Sequence, residues 1–156
     1  MKHLSGYPSW FFWLLVAAMF AAILSGFYLL PWVAEFKLQW QVPIELSYSY
    51  RLPGAVIHVL TGWTLLMLLG ALWHSHIRAG WRKKRNHYSG VIQSMSLLLL
   101  ALTGVGLYYL GSEDSQLFAS VLHTLFGVSL CASFTWHFIH GLTLQKKLQK
   151  NKPRQV

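Results

Sequence analysis

The stretch HTLFGVSLCASFTWHFIHG, residues 123–141, reads as one uninterrupted apolar helix carrying His123, His137 and His140. An ionisable ring in such a low-dielectric setting loses its hydration, and keeping it there is costly unless something binds it. His123 and His137 stand 14 residues apart. At about 100° per residue that separation falls about 40° short of whole turns, so both rings leave one helix face, about 21 Å apart along the axis. Two imidazoles on one face at opposite ends of a membrane helix suit two stacked haems.

A second helix answers the first. In RLPGAVIHVLTGWTLLMLLGALWHSHIRAGW, residues 51–81, His58 is followed four residues later by Gly62, just as His123 is followed by Gly127. The pattern H-x3-G therefore opens two apolar runs, a weak internal echo. A glycine one turn below a ligating histidine has a physical use, because the missing side chain lets a flat macrocycle lie against the helix backbone. His76 lies 18 residues beyond His58. That is about five whole turns on the same face, whereas His74 points about 160° away.

The composition fits a chain that lives in lipid. Hydrophobic residues make up 54% of the 156 and charged residues only 11%, far below the quarter or so typical of soluble domains. The net charge of +9 comes from residues between and after the apolar runs, which points to membrane topology and not to a nucleic-acid partner. Cys131 is the only cysteine. No internal disulfide, no iron–sulfur cluster held by this chain alone and no C-x-x-C-H haem attachment can be built from it, so any haem is b-type, held by coordination and packing.

Taken in order, the chain divides into four spans of an all-α integral membrane bundle. Residues 9–34 form TM1; its charge-free run is too long for a signal-peptide core, so it is expected to be retained. Residues 35–52 mix charge, Pro43 and aromatics, as suits an interfacial loop with Trp40, Tyr48 and Tyr50 at headgroup depth. TM2 is expected over 53–76, TM3 over 88–110 and TM4 over 117–144, followed by a basic tail over 145–156 that is disordered or surface-bound. Arg78, Arg82, Lys83, Lys84 and Arg85 separate TM2 from TM3.

With both termini in the cytoplasm, Lys2, this cluster and the tail put 11 of the 13 Lys and Arg inside, while Glu35, Glu45, Glu113 and Asp114 lie outside. The positive-inside rule therefore gives a multi-pass protein of four helices with N and C termini cytoplasmic. TM2 and TM4 then descend together. His58 and His123 share the outer level, and His74, His76, His137 and His140 share the inner one.

Two bis-histidine sites follow, His58 with His123 and His76 with His137, with simple hydrogen bonding inside the bundle as the alternative for each ring. His76 wins on face; His74 fits the depth better and stays an alternative to it. His140, about 100° round from His123, is more readily a neighbour than a ligand and stands as the alternative to His137. Gly62 and Gly127 are candidates for packing against haem, and Arg51 and Arg78 for pairing with its propionates, since guanidinium binds carboxylate in a forked geometry. Arg78 serves topology equally well. The Gly104-Val105-Gly106 stretch of TM3 suits close packing, against a helix or a porphyrin. Met95 reads as core, and His3 and His87 as residues outside the spans.

Haem held by two histidines has no open coordination position, so it passes single electrons instead of binding a substrate. The H-x13-H of TM4, following a serine- and leucine-rich TM3 with its glycines, resembles the di-haem cytochrome b subunits of respiratory formate dehydrogenases and nickel–iron hydrogenases. The resemblance covers residues 54–142 and rests on histidine spacing within apolar sequence. It implies electron transfer between membrane quinone and a periplasmic or cytoplasmic redox protein. TM1 has no histidine, so all four ligands must come from TM2 and TM4. The inner end offers His74, His87, His140 and Trp81 for a quinone, and the outer end Tyr48, Tyr50 and Glu45; by number the inner end is favoured. The reading from another class is a haem-free bundle that binds or conducts metal ions or protons, or anchors a partner. A transporter of that kind usually places carboxylates within its spans.

Overall fold

Four long helices account for most of the chain: α1 (Ser9–Leu38), α2 (Arg51–Leu72), α3 (His87–Tyr109) and α4 (Glu113–Lys150). The computed structural model describes residues 7–43, 47–73, 77–78, 81 and 87–150, and of His87 and residues 144–150 the backbone alone. Among the described residues there is no strand, and a short 3-10 turn at Tyr48–Tyr50 leads into α2. Each helix contains a stretch long and apolar enough to cross a membrane, at Ser9–Leu38, Tyr48–Leu72, Tyr88–Tyr109 and Glu113–Thr143. The protein is an all-α four-helix bundle built for lipid.

α1 and α4 outrun the apolar windows that announce them. Hydropathy marks where a chain can sit in lipid, whereas a helix stops only where its backbone is capped. α1 continues past residue 34 through Glu35 and Lys37 to Leu38, where Gln39 takes a left-handed conformation (φ 54°) and Trp40 N–H returns to the Ala34 carbonyl at 3.0 Å. That extension has a use. It carries Lys37 to the side of α4, where its Nζ donates to Gln116 Oε1 at 2.9 Å. α4 starts at Glu113, with Glu113 and Asp114 in the first turn, where carboxylates meet the positive end of the helix dipole. At its far end it stays helical to Lys150, six residues into the segment expected as a tail.

Packing proceeds by antiparallel hairpins. α1 lies closely along α2, and α3 along α4; α1 with α4 and α2 with α3 then close the ring, leaving α2 and α4 on a diagonal with little backbone approach. Phe11, Ala18, Met19, Leu65, Leu68, Leu72, Leu97 and Leu130 form the buried core. The outward faces are lined with exposed apolar side chains such as Trp13, Phe20, Leu24, Val56, Leu60, Leu102 and Leu125, which lipid tails can cover without any polar backbone being exposed to them. At the end of the bundle formed by residues 39–43, 47–50 and 110–112, Trp40, Tyr48, Tyr50, Tyr108 and Tyr109 stand exposed, the arrangement of an aromatic belt.

Candidate functional site: a histidine pair across the diagonal

His58 of α2 and His123 of α4 face each other across the diagonal, with ring centroids 6.0 Å apart and planes at 76°. Their helices do not pack there, so the rings bridge a gap that the backbones leave open. With a metal–imidazole bond of about 2.0–2.1 Å and roughly 1 Å from ring nitrogen to centroid, two imidazoles opposed across one metal place their centroids about 6 Å apart. The observed separation matches that span.

Each ring is held from the neighbouring helix of its own hairpin. His58 Nδ1 lies 3.0 Å from Ser25 Oγ and 3.1 Å from the Ala22 carbonyl of α1. His123 Nδ1 lies 3.0 Å from Thr103 Oγ1 of α3. A carbonyl oxygen only accepts, so His58 Nδ1, facing Ala22 O, carries the proton, and the unprotonated Nε2 is left to act as a donor to a metal. The hydroxyls agree. Ser25 Oγ donates to Ala21 O at 2.7 Å, and Thr103 Oγ1 to Leu99 O at 2.8 Å, which turns an oxygen lone pair of each toward the ring. Among the described residues neither Nε2 has a hydrogen-bond partner.

Glycines make this close approach possible. A Cβ at Gly26 would stand 3.2 Å from His58 Cε1, and one at Gly104 would stand 3.5 Å from His123 Cε1. Gly104 therefore packs against a histidine ring, while Gly106 faces Leu110 and Ala119. Beyond the histidines the space opens again. A Cβ at Gly62 would meet nothing within 4 Å, and one at Gly127 only Leu100 Cδ2 at 4.0 Å.

The two hairpins are equivalent in detail, and the H-x3-G echo is the visible edge of it. The register that lays Ser25-Gly26 on Thr103-Gly104 also lays Ala18 on Ser96 and Met19 on Leu97, all four buried. The register that lays His58 on His123 lays Gly62 on Gly127, and Leu65 on Leu130, both of the latter buried. At the other end the halves part. His137 Nδ1 is held by Ser89 Oγ at 2.9 Å, and the matching positions of the first hairpin are Leu72 and Phe11, both in the core.

The remaining predicted positions fall as follows. His74 and His76 lie outside the described residues, as do Glu45 and His3, so the partner of His137 is not described. His140 is exposed and stacks on Trp136, with centroids 6.4 Å apart and planes at 7°. Arg51 donates to Tyr48 Oη at 3.0 Å and lies 5.4 Å from the centroids of both the Phe36 and Tyr48 rings. Arg78 is exposed. Sequence reading missed Ser25, Gly26, Thr103 and Ser89, because hydroxyls and glycines in a helix carry no chemistry of their own until a histidine is set beside them.

Among the described residues no three His, Cys, Asp or Glu side chains gather as a set that could hold a bare metal ion. Two imidazoles opposed across a gap suit instead a metal that brings its own equatorial donors, as iron does in a porphyrin. No known protein family, curated protein or solved structure matches the chain.

Proposed function

We propose that this chain is a membrane-embedded di-haem b-type cytochrome subunit that carries electrons across a bacterial inner membrane, between the quinone pool and a redox partner protein. The observation that carries the reading is the opposed pair His58 and His123, spaced at 6.0 Å, each anchored at Nδ1 from a neighbouring helix. In this reading both termini are cytoplasmic, so this pair is the outer site. His137, anchored by Ser89, is one ligand of the inner site and His76 the other, with His74 and His140 as the alternatives. A haem held by two histidines supplies reversible one-electron transfer at iron with no open coordination position.

The chain's own residues orient and enclose. Ser25 and Thr103 fix the outer rings; Gly62 and Gly127 leave room beside them; Leu65 and Leu130 form the floor one turn further in and exclude water. Arg51 at the outer end and Arg78 at the inner end are the propionate partners. The long charge-free spans hold no flavin or catalytic motif, so the chain acts as an electron-transfer subunit of a larger oxidoreductase and not as an enzyme alone. A bare-ion or proton carrier is less well supported, since the described residues offer no cluster of three ligands.

The test is the reduced-minus-oxidised visible spectrum of the purified chain, with the ratio of haem to protein. Two low-spin haems per chain are expected, and His58→Ala should leave one. Absence of haem bands sinks the cytochrome reading; two haems retained in His58→Ala removes the outer assignment alone.

A further inference from the structure

Ser25 and Thr103 make the same contacts twice. Each hydroxyl donates to the carbonyl four residues back in its own helix, at 2.7 and 2.8 Å, and each receives an Nδ1–H from the next helix at 3.0 Å. Each is followed by a glycine whose missing side chain admits the ring. Among the described residues neither hydroxyl has a polar contact with the opposite hairpin. The two helices carry Leu24-Ser25-Gly26 and Leu102-Thr103-Gly104 at this level and set them against the two histidines in one geometry.

We infer that Ser25 and Thr103 are paired positioning residues that fix His58 and His123 as Nε2 ligands and lower the reduction potential of the metal centre shared by the two hairpins. The inference rests on the haem reading above and names what tunes that site. An acceptor on Nδ1–H pushes electron density into the imidazole and makes Nε2 a stronger donor, which favours the oxidised iron. Removing the acceptor raises the potential. The carbonyl of Ala22, 3.1 Å from His58 Nδ1, keeps the tautomer when the hydroxyl is lost, so the ring stays a ligand of reduced basicity.

The experiment uses the chain purified with its haem, in five single variants and one double. Ser25→Ala and Thr103→Val should each shift the midpoint of the outer centre, identified as the one lost in His58→Ala, to more positive potential. The double variant should shift it further in the same direction. Ser25→Thr and Thr103→Ser, which restore the hydroxyl with the other hairpin's residue, should titrate as the native chain does. Loss of such partners typically costs about 10- to 100-fold in metal-group affinity, so haem depleted in the Ala and Val variants and retained in the exchanged ones supports the same conclusion. Potentials and haem content unchanged in the double variant would overturn it, as would equal shifts in the hydroxyl-restoring variants, since that pattern reports only helix packing. A native chain without haem bands is a different failure, that of the cytochrome reading itself.

Discussion

Gly62 is the position at which an added methyl group separates the empty bundle from the loaded one. In the bundle itself a Cβ there meets nothing within 4 Å, so Gly62→Ala brings no clash. Alanine in a helix interior is favoured over glycine by about 0.8–1.0 kcal/mol, and the haem-free chain should be as stable as the native one or more so by about that amount. A macrocycle held by His58 would lie one turn from that ligand, against the bare backbone of Gly62. A methyl group pressed into such a contact costs about 1–3 kcal/mol, or about 5- to 150-fold in haem affinity. Titration of haem into the haem-free chain reads the second quantity, and unfolding in mixed micelles followed by tryptophan fluorescence reads the first. The expected signature is weakened haem binding with no loss of stability in the haem-free chain. Native haem affinity in Gly62→Ala would refute the placement of the ring, and a destabilised haem-free chain would refute the open space.

Gly54→Ala should do the reverse. Its Cβ would stand 2.8 Å from Tyr28 Cδ1 and Cε1, and Tyr28 is packed edge-on to Trp32 at 5.3 Å, so the haem-free chain should lose about 1–3 kcal/mol by the same unfolding measurement. For the inner site, His76→Ala should lose one haem and His74→Ala should keep both; the opposite haem ratios would mean that depth and not helix face selects the ligand of TM2. Replacing His87 and His140 with Gln should slow haem reduction by a quinol analogue without altering haem content. Slowing in Tyr48→Phe or Glu45→Gln instead would move the quinone site to the other end.

Hydropathy sufficed for four helices because lipid imposes a length and an absence of charge that no other environment demands. It could not give their ends. Nothing in FKLQW distinguishes a helix running to Leu38 from one stopping at Ala34, since the capping lies in the left-handed backbone of Gln39. That His58 and His123 lie at one level was readable from the charge asymmetry, because it fixes the direction of each span. The diagonal gap between α2 and α4 was not, since apolar residues on all sides of a membrane helix give no preferred face. Ser25 and Thr103 were hidden for a related reason: a hydroxyl in a helix ordinarily bonds its own backbone, as both do, and its second bond depends on which helix lies alongside. TM1 looked like a bystander because it has no histidine, yet it supplies the bond that fixes the ring of His58.

The matching of α1–α2 with α3–α4 also settles what kind of symmetry the bundle has. α1 and α3 run the same way, and so do α2 and α4, so the operation that exchanges the hairpins is a half-turn about the long axis of the bundle, perpendicular to the membrane plane. Such a rotation never interchanges the two membrane faces. It leaves the end with His58 and His123 nearly two-fold, while at the opposite end Ser89 and His137 answer Phe11 and Leu72 and the two-fold is broken. The start of α1 lies beside the far part of α4, where Phe12 and Phe138 stack at 6.4 Å. The helices thus form a closed ring in which chain order is a matter of where the ring is cut. Reading it from α3 round to α2 describes the same bundle, with the same sidedness and the same polarity.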